Sequence, residues 1–335
     1  MQTAASWILS VGVRAGRLVN RAWHVAAGEY FGMGCRLLRG KDVFLQPVSG
    51  VPSSAWRIFI IRWIKVDEMQ FMTKVAVGKP DFEIGPCEEM LFVGSCFADN
   101  MGRRFKEEKF RATVNPYGVM YNPASILHTV ERCQAAPRVA LLTLGTNHVY
   151  ILNETGEIVD NCAKRPQRLF TERQLTVDEC AGYLGRAVDV LAGRRADVKV
   201  VLTVSPIRYA KYGYHGSQLS KAVLLLAADK LVGERPGQVS YFPAYEIVND
   251  ELRDYRFYAK DMLHPSEQAV EYIWEVFSEA YFSAEAKRFI EEWRPLKEAL
   301  GHKPFRPDSA EYKEFMDKTM LKVEALSKKY PNFVP

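Results

Sequence analysis

Apolar residues in this chain gather into short consecutive runs, separated by stretches in which they recur at helical intervals. The run Glu88 to Val93 (EEMLFV) predicts a strand. In the GSCFADNMGRRFKEEKF that follows, Phe97, Met101 and Phe105 are spaced as on one face of a helix, so a strand turns into a helix at Gly94 and Ser95. Val139 to Leu144 (VALLTL) and Val198 to Val204 (VKVVLTV) are apolar on successive positions. Such runs read as central strands of a sheet covered on both faces. Helices are expected over Val177 to Leu191, Gln218 to Leu231 and Ser266 to Trp293, and over Ala310 to Tyr330, where much of the surface is polar. His148 to Leu152 and Glu157 to Asp160, separated by Asn153 to Gly156, predict an added hairpin. The alternation predicts a three-layer α/β/α fold with a mostly parallel central sheet, a small hairpin insertion and C-terminal helices.

Composition narrows the class. The chain has 335 residues, 48% apolar and 25% charged, as expected of a globular protein with a sizeable core. No run reaches the roughly 18 apolar residues of a membrane helix, and the nearest, Ile58 to Ile64, is interrupted by Arg62. Six scattered cysteines without a CxxC pair argue against a zinc site or a disulfide scaffold, and place the protein in a reducing, cytoplasmic compartment. The net charge of +5 is uneven, because residues 1 to 65 carry nine Lys/Arg against Glu29 and Asp42. The remaining body is therefore close to neutral, which removes the main argument for nucleic-acid binding. The basic segment 1–68 reads as a transit peptide or interfacial amphipathic segment, or as sequence upstream of a natural start at Met69. The expected organisation is this extension, a main domain over 69–295 and a helical tail over 296–335.

Chemistry enters at the first strand-to-helix turn. Ligands of parallel α/β sheets bind beyond the carboxyl ends of the strands, where Ser95 would present its hydroxyl. Taken alone, Ser95 is as simply read as a helix N-cap, with Asp99 close to the position of a capping-box acid. Lys260-Asp261-Met262-Leu263-His264-Pro265 alters that balance. A serine hydroxyl becomes a nucleophile when an imidazole takes its proton and a carboxylate holds the other ring nitrogen. Three residues of spacing in a loop let Asp261 do so for His264, although an isolated DxxHP is also an ordinary loop before a proline-started helix.

Together the motifs resemble those of the GSCFA-domain family, which is related to the SGNH hydrolases. Val93-Gly94-Ser95-Cys96-Phe97-Ala98 carries the string for which the family is named. Asn115-Pro116-Tyr117-Gly118, Tyr121-Asn122-Pro123, Thr143-Leu144-Gly145-Thr146, Asn161-Cys162, Ser205-Pro206-Ile207-Arg208, Ser220-Lys221-Ala222 and the Asp261 to Pro265 motif follow in order. The resemblance spans roughly 70 to 290 and implies an SGNH, flavodoxin-like sheet. It also implies a triad of Ser95, Asp261 and His264, an oxyanion hole from Ser95, Gly118 and either Thr146 or Asn147, and substrate contacts from Asn161, Arg208 and Tyr209. Ala163 and Tyr209 stand where the family pattern has histidines, which bears on the substrate pocket.

Other residues invite readings of their own. Cys96 beside Ser95 would point about 100° away along the helix and reads as a small buried hydrophobe. His128, His148 and His215 lack ligand spacing, so neither a metal nor a cofactor is expected. Arg208 and Lys221 would orient an anionic or sugar substrate, or form salt bridges. Tyr209, Tyr212 and Tyr214 would stack on a sugar, or only pack their loop. Two functions compete. One is a serine esterase that removes or transfers an acetyl group on a carbohydrate or similar small ester. The other is a non-catalytic carbohydrate-binding or scaffold protein that keeps the fold. Since residues 1–68 hold none of the motifs, a chain beginning at Met69 is expected to be soluble, to melt cooperatively and to keep full activity. Aggregation or a broad melt of that shortened chain would make the segment an integral layer of the fold.

Overall fold

The computed structural model describes residues 72–334, and the basic segment 1–68 lies outside the described residues. Five parallel strands form the central sheet: β1 (Glu89–Gly94), β2 (Arg111–Val114), β3 (Val139–Leu144), β7 (Lys199–Val204) and β8 (Val239–Tyr241), in the order β2-β1-β3-β7-β8. Counting these strands alone, the second lies outside the first and the rest follow in sequence, which is the flavodoxin-like doubly wound order. Chain direction across the sheet reverses between β1 and β3, where such folds open a ligand crevice.

Strand side chains alternate between two cores. Leu91, Val93, Ala140, Leu142, Val200 and Leu202 face helices α2 (Pro123–Arg132), α3 (Val177–Arg194) and α4 (Gly213–Glu234). Met90, Phe92, Leu141 and Val201 face the other way, onto α1 (Cys96–Glu107), the helical segment 244–252 and α5 (Glu267–Tyr281). The expected three-layer fold is what the chain adopts. Its hairpin is a three-stranded antiparallel sheet, with β4 (His148–Leu152) between β5 (Ile158–Val159) and β6 (Phe170–Gln174). Among the described residues no helix is long and apolar enough to cross a membrane.

Two expected helices have different bounds. The single helix over Ser266 to Trp293 is in fact two, α5 and α6 (Ala284–Gly301). Phe282 leaves the helix to bridge Ile84, and the Ser283 hydroxyl caps α6 by accepting from the Ala286 N–H at 3.1 Å. Helix α4 begins at Gly213, ahead of the expected Gln218. In the tail, α7 (Ala310–Lys329) packs on α6 through Val323, Leu326 and Tyr330, which meet Phe289 and Trp293 in a small separate core.

Phe105 on α1 sits at the centre of the second core, with the rings of Phe92, Phe110, Trp274, Phe277 and Phe282 at centroid distances of 4.7 to 5.7 Å. Four of these contacts are edge-to-face, a geometry that adds to simple area burial. Phe105→Ala is expected to cost about 3–5 kcal/mol, read from the denaturation midpoint in urea at unchanged m-value. A loss under about 1 kcal/mol would mean that the site collapses around the deletion.

Candidate active site

Ser95 lies where β1 ends at the switch point and is 1% exposed. Its Oγ caps α1, accepting from the Phe97 N–H at 3.2 Å, and lies 3.1 Å from Thr143 Oγ1. Its own N–H donates to Thr143 Oγ1 at 2.9 Å and to the Thr143 carbonyl at 3.2 Å. Gly94 makes this approach feasible. Its φ is +141°, and a Cβ there would sit 2.1 Å from the Thr143 carbonyl oxygen. Asn115 secures the same corner, with Oδ1 accepting from the Gly94 N–H and Nδ2 donating to Asp99 on α1 at 2.7 Å. Asp99 therefore serves this clamp rather than a capping box.

The second element is the turn before α5. One oxygen of Asp261 accepts from the N–H groups of Leu263 (2.9 Å) and His264 (3.0 Å), and the other accepts from His264 Nδ1 at 2.6 Å. Met262, at φ +58°, supplies the left-handed residue that closes this turn. The N–H groups of His264 and Leu263, followed by the imidazole, hold the Asp261 carboxyl down at about 2. It is thus a carboxylate at any working pH, and with Nδ1 as donor the Nε2 of His264 is left as an acceptor. Both side chains are open to solvent, at 39% for His264 and 46% for Asp261.

A cavity of about 230 Å³ brings Ser95 and His264 together with Gly145, Ser205, Arg208 and Tyr209. No hydrogen bond joins Ser95 Oγ to His264 among the described residues. The other expected site residues lie outside the cavity wall, and each has a partner. The Gly118 N–H donates to the Asn115 carbonyl at 2.9 Å, and Asn147 Nδ2 donates to the Leu175 carbonyl at 2.8 Å. Thr146 Oγ1 pairs with Ser220 Oγ at 3.0 Å, and the exposed Asn161 accepts from the Ala163 N–H. Cys96, expected as a buried hydrophobe, instead lines the cavity with Sγ 4.0 Å from the Tyr121 hydroxyl. Burial pushes its thiol pKa up, which disfavours a thiolate. A larger cavity, of about 320 Å³, lies at the opposite end of the sheet among Glu88, Arg111 and Arg138. It holds no nucleophile beside a base.

Sequence reasoning left Thr143 and Tyr121 without a role, and gave Lys221 to a substrate or a salt bridge. Thr143 is a hydroxyl in an otherwise aliphatic central strand, and a buried hydroxyl needs a partner. The partner is Ser95. Tyr121 accepts from the N–H groups of Gly145 and Thr146 through its carbonyl, seating the loop after β3, and Gly145 is needed there because a Cβ would fall 2.8 Å from that oxygen. Lys221 on α4 is 2% exposed and donates to the carbonyls of Gly145 (2.7 Å) and Ser205 (2.8 Å), joining the loops after β3 and β7.

A model of the GSCFA family matches residues 89–138 and 133–277, and a model described as GSCFA domain protein, C-terminal domain, matches residues 293–334. No curated protein matches the chain. An acetylxylan esterase from Geobacillus stearothermophilus is 13% identical, with a TM-score of 0.39 over 60% of this chain and 98% of that one. A carbohydrate esterase of family 3 from Talaromyces cellulolyticus is 10% identical, with a TM-score of 0.33 over 63% of this chain and 98% of that one.

Burial pushes the Lys221 ammonium down to about 7 from its ordinary 10.5, while the two carbonyls favour the charged form. Between those values the unfolded chain holds a proton that the folded chain has shed, so this residue makes stability rise with pH across that window. The Tm of the wild-type chain minus that of Lys221→Met is accordingly expected to grow from about pH 7 to about pH 9. A difference constant across that range would mean that Lys221 stays charged when folded.

Proposed function

The chain belongs to the GSCFA family, and from that membership we propose that it is an ester hydrolase of the SGNH type, with Ser95 as nucleophile, His264 as base and Asp261 as orienter. What supports this reading is one convergence. Segments 169 residues apart in sequence bring a serine at a strand-to-helix turn and a hydrogen-bonded Asp–His pair to one cavity. The DxxH spacing alone does not require that meeting.

In the proposed reaction, His264 Nε2 takes the hydroxyl proton as Ser95 Oγ attacks the acyl carbonyl, and Asp261 stabilises the imidazolium that forms. The imidazolium then returns the proton to the departing alcohol, leaving an acyl-enzyme. Water activated by the same imidazole hydrolyses it. Negative charge on the tetrahedral oxygen would lie at the start of α1, where the Cys96 N–H and the helix dipole favour an anion, and the Ser95 N–H joins them only by releasing Thr143. Gly118 and Asn147 serve as further donors only by releasing the Asn115 and Leu175 carbonyls that they now hold. The SGNH relationship supplies the substrate class, an acetyl group on a carbohydrate or similar small ester, and a cavity of about 230 Å³ suits an acyl group of that size. Asn161 is too far out in its loop to join the first contacts, whereas Arg208 and Tyr209 border the reacting centre.

One observation favours a second reading, that of a non-catalytic binding protein. The Ser95 hydroxyl is engaged by Thr143 and Phe97 and not by His264. Labelling by a fluorophosphonate separates the two, because only an activated serine reacts. The wild-type chain is expected to label at Ser95 and to hydrolyse aryl acetates. Ser95→Ala and His264→Ala should each lower kcat by about 10⁶-fold, or to background, and Asp261→Asn by about 10⁴-fold, with Tm lowered by only about 2–4 °C for Ser95→Ala through loss of the helix cap. Absence of labelling and of serine-dependent turnover in the wild type would leave the binding-protein reading.

A further inference from the structure

We propose that the substrate carries a carboxylate close to its scissile ester, held by Arg208. The inference rests on the esterase reading of this cavity and narrows its substrate class.

Arg208, Lys211 and Lys221 line the cavity, and no Asp or Glu does. Lys211 is already neutralised, with Nζ 3.1 Å from a carboxylate oxygen of Glu172. Asp261 is spent on His264 and on its own turn. The other two cations have no carboxylate partner among the described residues, so the salt bridges that the sequence left open are absent there. Lys221 is almost fully buried, and both of its hydrogen bonds go to carbonyl oxygens. Arg208 donates Nη1 to the Met262 carbonyl at 3.1 Å and has no other side-chain acceptor among the described residues. Its guanidinium lies 4.1 Å from the ring centroid of Tyr214 and 5.4 Å from that of Tyr258.

Arg208 is half-buried at the cavity and has no counter-ion among the described residues, so an anionic ligand would find an unpaired guanidinium there. A guanidinium fixed by aromatic rings loses little freedom when its N–H fork meets the two oxygens of a carboxylate. The size of the cavity sets the rest of the description. At about 230 Å³ it holds a small molecule, so an anion at Arg208 and an ester carbonyl at Ser95 must be only a few bonds apart in the same compound. Arg208 also braces the histidine turn, through its Nη1 on Met262 and its N–H on the Leu263 carbonyl at 3.0 Å. A purely bracing role predicts no preference for charge in the ligand.

The test uses the full chain carrying Ser95→Ala, which cannot turn over an ester, titrated by ligand-observed NMR with acetoxyacetate and with its neutral near-isostere acetoxyacetamide. Acetoxyacetate is expected to bind at least about tenfold more tightly, in keeping with one charge-assisted hydrogen bond. That advantage should shrink with added salt and collapse in the double variant that also carries Arg208→Met, while Arg208→Lys retains part of it. Equal binding of the two ligands, or an advantage untouched by Arg208→Met, overturns the proposal. The outcome is independent of serine chemistry. Selective binding by a protein whose wild type turns over no ester keeps the carboxylate site and removes the hydrolase, whereas turnover of acetate esters with equal binding does the reverse.

Discussion

At the carboxyl ends of β1 and β3 the two backbones come so close that a Cβ on Gly94 would sit 2.1 Å from the Thr143 carbonyl oxygen. Only glycine fits, and the next residue is thereby forced into the switch point with its N–H on Thr143. The rest of the crevice is organised around that contact. Asn115 ties the end of β2 to Gly94 and to α1, and Tyr121 seats the loop after β3. Phe97 and Met101 press α1 onto the sheet, so the helix start cannot drift from the strand end. The serine hydroxyl is placed by contacts from three strands and their ends, with its own side chain contributing the cap and the contact to Thr143 Oγ1.

The opposing wall is built with charge. Lys221 bridges the carbonyls at the ends of β3 and β7, and Arg208 bridges the loop after β7 to the Met262 and Leu263 carbonyls of the histidine turn. Each cation neutralises carbonyl dipoles that would otherwise converge on the crevice unpaired, a cost that rises as the local dielectric falls. The histidine turn has few apolar contacts of its own, and its shape is set by Asp261, which uses one oxygen for the backbone and the other for the imidazole. An asparagine there keeps the turn but reverses the demand on Nδ1 if its amide nitrogen faces the ring, which is why the amide substitution separates turn geometry from imidazole chemistry.

The sheet's central strands were legible because a fully covered strand needs apolar side chains on both faces, and β1, β3 and β7 have them. Edge elements carry no such requirement. Strand β6 (FTERQ) buries only Phe170 and is held by backbone pairing to β4, so nothing in its side chains marks it. Strand β8 is three residues long, and β2 is half exposed. The break between α5 and α6 was hidden for the opposite reason. Phe282 is buried although it has left the helix, so the apolar periodicity runs through the gap and only Ser283 marks the new start. At the site, Ser95, Asp261 and His264 could be read from ordered motifs, whereas Thr143, Asn115 and Tyr121 act through contacts that exist only once β1, β2 and β3 lie side by side.

The arrangement of Ser95 sets one energetic condition on the proposed chemistry. Its Oγ accepts from the Phe97 N–H and sits beside Thr143 Oγ1, with no hydrogen bond to His264 among the described residues, so in the proposed reaction a turn of the hydroxyl toward His264 about the Cα–Cβ bond would release the cap. An N-cap contributes about 1 kcal/mol, and at 3.2 Å this one is long for its type. The released Phe97 N–H would then be free at the positive end of α1, where together with the Cys96 N–H it would favour developing negative charge. Part of the cost of freeing the hydroxyl is thus recovered by the N–H that it leaves behind. In the proposed reaction the cap and the nucleophile would therefore not be rival roles for Ser95. The cap would hold the side chain in one rotamer while the crevice is empty, and its release would supply a donor on arrival of an acyl group.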